Sequence, residues 1–249
     1  GILSDNKKLL AVIREEILIV SDKYKDDRRT GFTRDDEVED EDLIQKEDII
    51  IAMTKLGYIK RMSPDNFNVQ NRGGKGIKGM QTIEDDFIED IVMSSTHNDI
   101  YFFTNKGRVY TIKGYKIPEA SRTARGVAIV NLLQLQPDEK ISAIIPSENK
   151  SSDGFLFMVT KRGTIKKCKI SLFDNIRKSG LAAINLVDDD ELIEVKVTHG
   201  DDDLMIVSKH GMCIRINDKD IRDVGRGAAG VRGMRLNPDD EVIGMQLAS

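Results

Sequence analysis

The feature that most limits what this chain can fold into is a repeat held at fixed internal spacing. Beyond Asp48, four segments read as strand, glycine turn, strand: residues 49–60 around Gly57, 100–112 around Gly107, 155–168 around Gly163 and 204–216 around Gly211. The turn glycines lie 50, 56 and 48 residues apart, and a second glycine follows each at an offset of 19, 19, 17 and 19, at Gly76, Gly126, Gly180 and Gly230. Each unit then closes with an acidic turn and a further β-type run, opening at Asp85-Asp86, Asp138-Glu139, Asp190-Glu191 and Asp240-Glu241. A period of this length suits one four-stranded blade, and repeated units bury their apolar faces against their neighbours. The expectation is an all-β, propeller-like domain over 48–249, with four visible four-stranded blades at about 48–93, 94–146, 147–198 and 199–249. The last unit ends where another hairpin would begin, so further blades are expected in the parent protein.

The front of the chain has a different texture. Leu9, Leu10, Ile13, Ile17, Val20 and Tyr24 recur at helical steps behind Ser4, a plausible N-cap, which predicts one α-helix over about 5–25. A single helix of this length needs a partner for its apolar stripe, so residues 1–30 read as the final helix of an upstream helical domain. Residues 31–47 are dominated by Asp and Glu and read as an acidic linker. Residues 1–47 hold 14 acids against 9 bases, leaving 28 acids and 29 bases for 48–249. The chain's net charge of −4 therefore belongs to its front end and does not exclude a polyanionic partner for the repeats.

No run approaches the ~20 apolar residues of a membrane span, and no secretion signal opens the chain, so a cytoplasmic protein without membrane contact is expected. Cys168 and Cys213 are too few for a disulfide framework or zinc knuckle and read as packed, reduced thiols. His97, His199 and His210 lack metal-ligand spacing and read as solvated loop residues. The acidic runs 188–191 and 201–203 lack the spaced ligands of a calcium loop. No nucleophile has a base partner in view, so neither catalysis nor a cofactor is expected of these residues.

The second glycine of each unit sits in a basic loop, strongest in the first: Gln70-Asn71-Arg72-Gly73-Gly74-Lys75-Gly76, followed by Lys78. Clustered glycines let the backbone approach a ligand, while arginine, lysine and exposed amides match phosphate. The Gly-Lys-Ser/Thr ending of a nucleotide-binding loop is missing. Alone, such a loop is an ordinary surface turn. In register it becomes one of four, with Arg122 and Arg125, Arg177 and Lys178, and Arg226 and Arg232 in the others, so these cations would form an arc along one rim. An arc of this kind suits a curved polyanion. Lys60, Arg61, Arg108, Lys166, Lys167 and Arg215 fall on second hairpin strands, where they either widen the track or protect strand edges.

Gln70 to Gly76, the blade register, Ile13–Glu16 with Asp27–Thr30, Arg108-Val109-Tyr110 and Pro118-Glu119-Ala120 together resemble the C-terminal DNA-wrapping domains of bacterial DNA gyrase A. Asn71 is the only departure from that family's Gln-Arg-Arg-Gly-Gly-Lys-Gly box. The resemblance implies a six-bladed β-pinwheel that exchanges strands between blades. It also implies positive wrapping of duplex DNA whose end is fastened at Gln70–Gly76. The parent would be an ATP-dependent type II topoisomerase that introduces negative supercoils in the nucleoid, assembled from gyrase B and two copies of gyrase A. ATP, Mg2+ and the cleaving tyrosine would act outside these residues, and the fragment itself would be no enzyme. Two alternatives stand beside this: the related topoisomerase IV domain, whose box is degenerate or lost, and a propeller serving as a protein-interaction platform.

Overall fold

A computed structural model describes residues 6–24, 43–66, 86–147 and 153–248. The chain divides into compact units at Gly1–Leu43 and Ile44–Ser249. The first contains helix α1 (Asn6–Tyr24), none of whose residues is buried. Leu10, Ile13, Ile17, Leu18, Ile19, Val20 and Tyr24 are all exposed, so among the described residues most of the apolar stripe read from the sequence is uncovered.

The second unit is built from four antiparallel sheets. The first hairpin is β1 (Asp48–Thr54) and β2 (Tyr58–Met62), closed by β3 (Ile88–Ser95). The second unit of the repeat supplies β4 (Asp99–Thr104), β5 (Arg108–Lys113), the two-residue β6 (Val127–Ala128) and β7 (Ile141–Ser147). The third supplies β8 (Phe155–Thr160), β9 (Thr164–Lys169), β10 (Leu181–Ala182) and β11 (Leu192–Thr198). The fourth supplies β12 (Asp203–Ser208), β13 (Cys213–Asn217), β14 (Val231–Arg232) and β15 (Val242–Ala248). The sheets run β3-β1-β2-β6, β7-β4-β5-β10, β11-β8-β9-β14 and β15-β12-β13. Each short strand therefore leaves its own repeat and completes the sheet of the preceding one. The fourth sheet has three strands rather than the four expected, because among the described residues no later repeat donates to β13. Closing strands β3, β7, β11 and β15 pack against one another in succession, which makes them the inner edges and the donated strands the outer edges of the blades.

The hairpin glycines are required by the turns. Gly57, Gly107, Gly163 and Gly211 all sit at positive φ, between 73° and 89°, a region costly for any residue with a Cβ. The acidic closing turns hook back onto these hairpins. Asp86 Oδ1 accepts from the N–H of Leu56 at 3.1 Å, Asp190 Oδ1 from that of Arg162 at 3.0 Å and Asp240 Oδ1 from that of His210 at 3.0 Å. In the second unit Glu139 replaces the aspartate and accepts from the Thr104 and Tyr110 hydroxyls.

Alternation along the central strands places core on both faces of a blade. Ile100 and Phe102 of β4 face Ile49, Ile51 and Met53 of the first blade, while Tyr101 and Phe103 face Leu156 and Met158 of the third. Phe157 and Val159 then face Leu204 and Ile206 of the fourth. Burying each such side chain contributes about 1.5–3 kcal/mol, so the stability of a blade depends on its neighbours.

Candidate nucleic-acid interface

Strand donation carries the basic loops to the outer edges. The first of those described, Ser121–Gly126, lies along β2 of the preceding blade before entering β6, which pairs Val127 with Ile59 and Ala128 with Tyr58. Arg125 is exposed, with its guanidinium 5.4 Å from the Tyr58 ring centroid, and Arg122 is half-buried. Arg177 and Lys178, both exposed, lie in a turn closed by the bond from Gly180 N–H to Arg177 O at 2.8 Å, ahead of β10 on the second blade. Arg226 is half-buried and Arg232 exposed, the latter within β14 on the third blade. Three successive blades thus carry equivalent basic segments at equivalent outer edges. Gln70, Asn71, Arg72, Gly73, Gly74, Lys75, Gly76 and Lys78 lie outside the described residues.

The second glycine of each loop is a close-contact position. A Cβ on Gly126 would stand 2.4 Å from Ile59 O, one on Gly180 2.7 Å from the Tyr110 ring and one on Gly230 2.4 Å from Ile165 O. Gly126 and Gly180 also have positive φ, whereas Gly230 does not. Close approach to the accepting strand is what the three share.

The cations of the second hairpin strands are tied to partners within the domain, and of the six only Arg215, on the edge strand β13, is exposed. Lys60 is buried, and its Nζ donates to the carbonyls of Ser121 at 3.0 Å, Arg122 at 2.6 Å and Ala124 at 2.9 Å. Lys166, also buried, donates to the carbonyls of Ala183 and Arg226. Burial pushes the pKa of both ammonium groups below the usual lysine range; for Lys166 the Cys168 thiol opposes that shift and Arg226 adds to it. At the Lys60 position of the second blade stands Tyr110, bonded to Glu139, and Arg108 beside it donates to Ser179 O at 2.6 Å. Arg61 donates to Ile117 O and pairs with Glu119 at 3.5 Å. Lys167 meets the buried Asp218 at 3.6 Å, and Arg215 binds Asp203 of its own hairpin. Widening the track and protecting strand edges both require exposed side chains, whereas Lys60, Lys166 and Lys167 are buried. Their partners are mostly loop carbonyls, which leave no mark in a sequence.

Two smaller readings also change. Cys168 is buried, its thiol pKa raised chiefly by that burial, but Cys213 is exposed on β13 and is not packed. His97 is half-buried with Nε2 2.7 Å from Ile44 O, tying the start of this unit to the turn after β3; His199 and His210 are exposed. Among the described residues no cluster of three or more His, Cys, Asp or Glu could hold a metal ion, and no helix is long and apolar enough to cross a membrane.

A family model described as the DNA gyrase C-terminal domain, beta-propeller, matches residues 48–95, 98–148, 154–199 and 202–249, one match per blade. The chain belongs to the DNA gyrase C-terminal domain family. It is 52% identical over 234 residues to the DNA gyrase A protein of Clostridium acetobutylicum, covering 94% of this chain. Against the DNA gyrase A protein of Staphylococcus aureus it is 44% identical over 254 residues, covering the whole chain. The chain spans 28% of the length of each. Among solved structures, a C-terminal domain of DNA topoisomerase IV superposes with a TM-score of 0.69 at 29% identity, covering 83% of this chain and 62% of that one. A DNA gyrase A C-terminal domain superposes with 0.62 at 28%, covering 80% and 64%. The fold is common to both enzymes, so superposition does not separate them; the higher identities to gyrase A proteins place this chain on the gyrase side.

Proposed function

We propose that residues 44–249 bind duplex DNA along the outer edges of the blades without reading its sequence, and wrap it with positive handedness. The parent is a gyrase A protein that, with gyrase B and a second copy of itself, forms an ATP-dependent type II topoisomerase introducing negative supercoils. The observation that carries this reading is the placement of Arg122 and Arg125, Arg177 and Lys178, and Arg226 and Arg232 at equivalent outer edges of three consecutive blades. Repetition along a curved edge matches the repetition of phosphates along a bent duplex. Gln70–Gly76 and Lys78 are assigned, by likeness to the family's box, to fastening one end of the wrap. DNA cleavage, ATP and Mg2+ are assigned to other parts of the assembly, and the site of action to the cytoplasmic nucleoid.

The test is the salt dependence of duplex affinity. Each phosphate neutralised contributes about 0.9 to the slope of log affinity against log salt, so six rim cations predict a slope of about −5. Ligation of nicked circles bound by a protein containing all its blades should then trap a positive change in writhe. A shallow slope, or measurable affinity only for proteins, would favour the interaction-platform alternative. Unchanged linking number would reduce the function to binding without wrapping.

A further inference from the structure

We propose that Lys60 turns the loop Ser121–Arg125 into a main-chain anion cradle, and that Lys166 does the same at Gly227, so that backbone amides as well as arginines grip the DNA phosphates. This inference rests on the duplex-binding reading above and names the residues that shape the contact.

An ammonium group taken out of water is strongly disfavoured unless its protons find acceptors. Lys60 Nζ finds them in the carbonyls of Ser121, Arg122 and Ala124, which therefore converge on one point beneath the loop. In a trans peptide the N–H points opposite to the C=O of the same unit. The N–H groups that share peptide units with these three carbonyls are those of Arg122, Thr123 and Arg125, and they must face away from Lys60. None of the three has an acceptor among the described residues. Thr123 and Arg125 are also exposed, so the outward amides lie beside the cation of Arg125. Successive outward N–H groups flanked by arginine form the concavity that binds oxyanions.

The third blade repeats the device on a smaller scale. Lys166 draws in Arg226 O, whose peptide partner is the N–H of Gly227, again without an acceptor among the described residues. A Cβ on Gly225 or Gly227 would meet nothing within 4 Å, so this backbone is open to a ligand. The second blade lacks the device. Arg108 takes Ser179 O, but the corresponding N–H of Gly180 is committed to Arg177 O.

The experiment uses the full chain, a duplex probe and amide-resolved NMR with salt titrations. In the wild type, duplex binding should shift the amides of Arg122, Thr123, Arg125 and Gly227. Lys60→Met should abolish the first three shifts, weaken affinity about tenfold and reduce the salt slope by about 1–2. The double variant Arg122→Ala/Arg125→Ala should weaken binding while the Thr123 amide still shifts at saturation. The inference is overturned if those amides stay unmoved when the wild type binds, or if Lys60→Met lowers only the melting temperature. If Lys60→Met does not fold, Lys166→Met read at Gly227, with the wild-type shifts, decides the matter. Absence of duplex binding by the wild type would remove the functional reading and this inference together, whereas binding with unmoved amides removes only the inference.

Discussion

Gly126 and Gly211 have nearly the same backbone angle, φ 87° and 86°, but opposite surroundings, and alanine at each isolates what strand donation contributes. Around Gly211 a Cβ would meet nothing within 4 Å, so Gly211→Ala incurs only the left-handed backbone penalty, about 1–2 kcal/mol. At Gly126 the same Cβ would stand 2.4 Å from Ile59 O and 2.9 Å from its carbonyl carbon, a contact that forces backbone to move. What can move is the donated strand, which is held by the pairs Tyr58–Ala128 and Ile59–Val127 and by the bond from Ile129 N–H to Gly57 O at 2.8 Å. With each lost hydrogen bond worth about 0.5–1.5 kcal/mol, Gly126→Ala should cost about 2–5 kcal/mol in total. Urea unfolding followed by circular dichroism gives the two midpoints, and amide hydrogen exchange at Val127 and Ala128 locates the loss. Because β6 anchors the Ser121–Gly126 loop, the same variant should weaken duplex binding while Gly211→Ala leaves it intact. Equal destabilisation by the two variants, or full protection of Val127 and Ala128 in Gly126→Ala, would refute the reasoning.

The Asp240 carboxyl is held below its usual pKa, first by the Ser208 hydroxyl and then by the N–H groups of His210 and Glu241. A depressed carboxyl stabilises the fold above its unfolded pKa and loses that contribution as pH falls through the folded value, so a wild-type melting temperature that drops below about pH 4 should depend less on pH in Asp240→Asn. Glu194 titrates in the opposite sense: burial raises its pKa against the opposing effects of Lys196 and the Val195 N–H, while Asp90 and Glu89 push it further up. Its raised pKa favours the folded state only when protonated, so Glu194→Gln should raise the unfolding midpoint at pH 7 and lose that advantage near pH 4, as read from melts at both pH values. Thr123 is exposed in the first described loop, and Thr123→Glu should reduce duplex affinity about tenfold at moderate salt in a filter-binding titration, because it sets a carboxylate against phosphate.

The hairpins and closing strands were legible because their signals are local: apolar runs of strand length, a glycine wherever the turn demands positive φ, an acid ahead of each closing strand. The donated strands are legible only through the family resemblance, which implies exchange between blades, and not in the local pattern. Two residues such as Val127 and Ala128 are too short for an alternating pattern, and their partner, β2, lies in the preceding repeat. The rim loops were found by register alone, which located Arg122, Arg177 and Arg226 without revealing which blade each one edges. Lys60 and Lys166 carry no local signal of their burial. A lysine on a strand looks the same in sequence whether it faces water or the carbonyls of a loop arriving from the next repeat.

The near balance of 28 acids and 29 bases over residues 48–249 looks unsuited to a polyanion until the charges are sorted by position. Asp86, Asp190 and Asp240 are committed to hairpin turns next to the closing strands, the inner edges of the blades. The rim arginines and lysines lie across the sheet, at the donated strands. Three strand spacings of about 4.8 Å separate the two edges, roughly 14 Å, against a screening length of about 8 Å at physiological ionic strength. Phosphates at the donated strands would therefore meet local cations first, with Arg232 the exception that shares a cavity with Asp189, Asp240 and Glu241. Buried lysines add to this division: Lys60 and Lys166 spend their charge on carbonyls, orienting the loops rather than adding to the exposed count. Net charge is a poor guide here because the acids that hook the hairpin turns and the bases at the donated strands sit at different edges of the sheets.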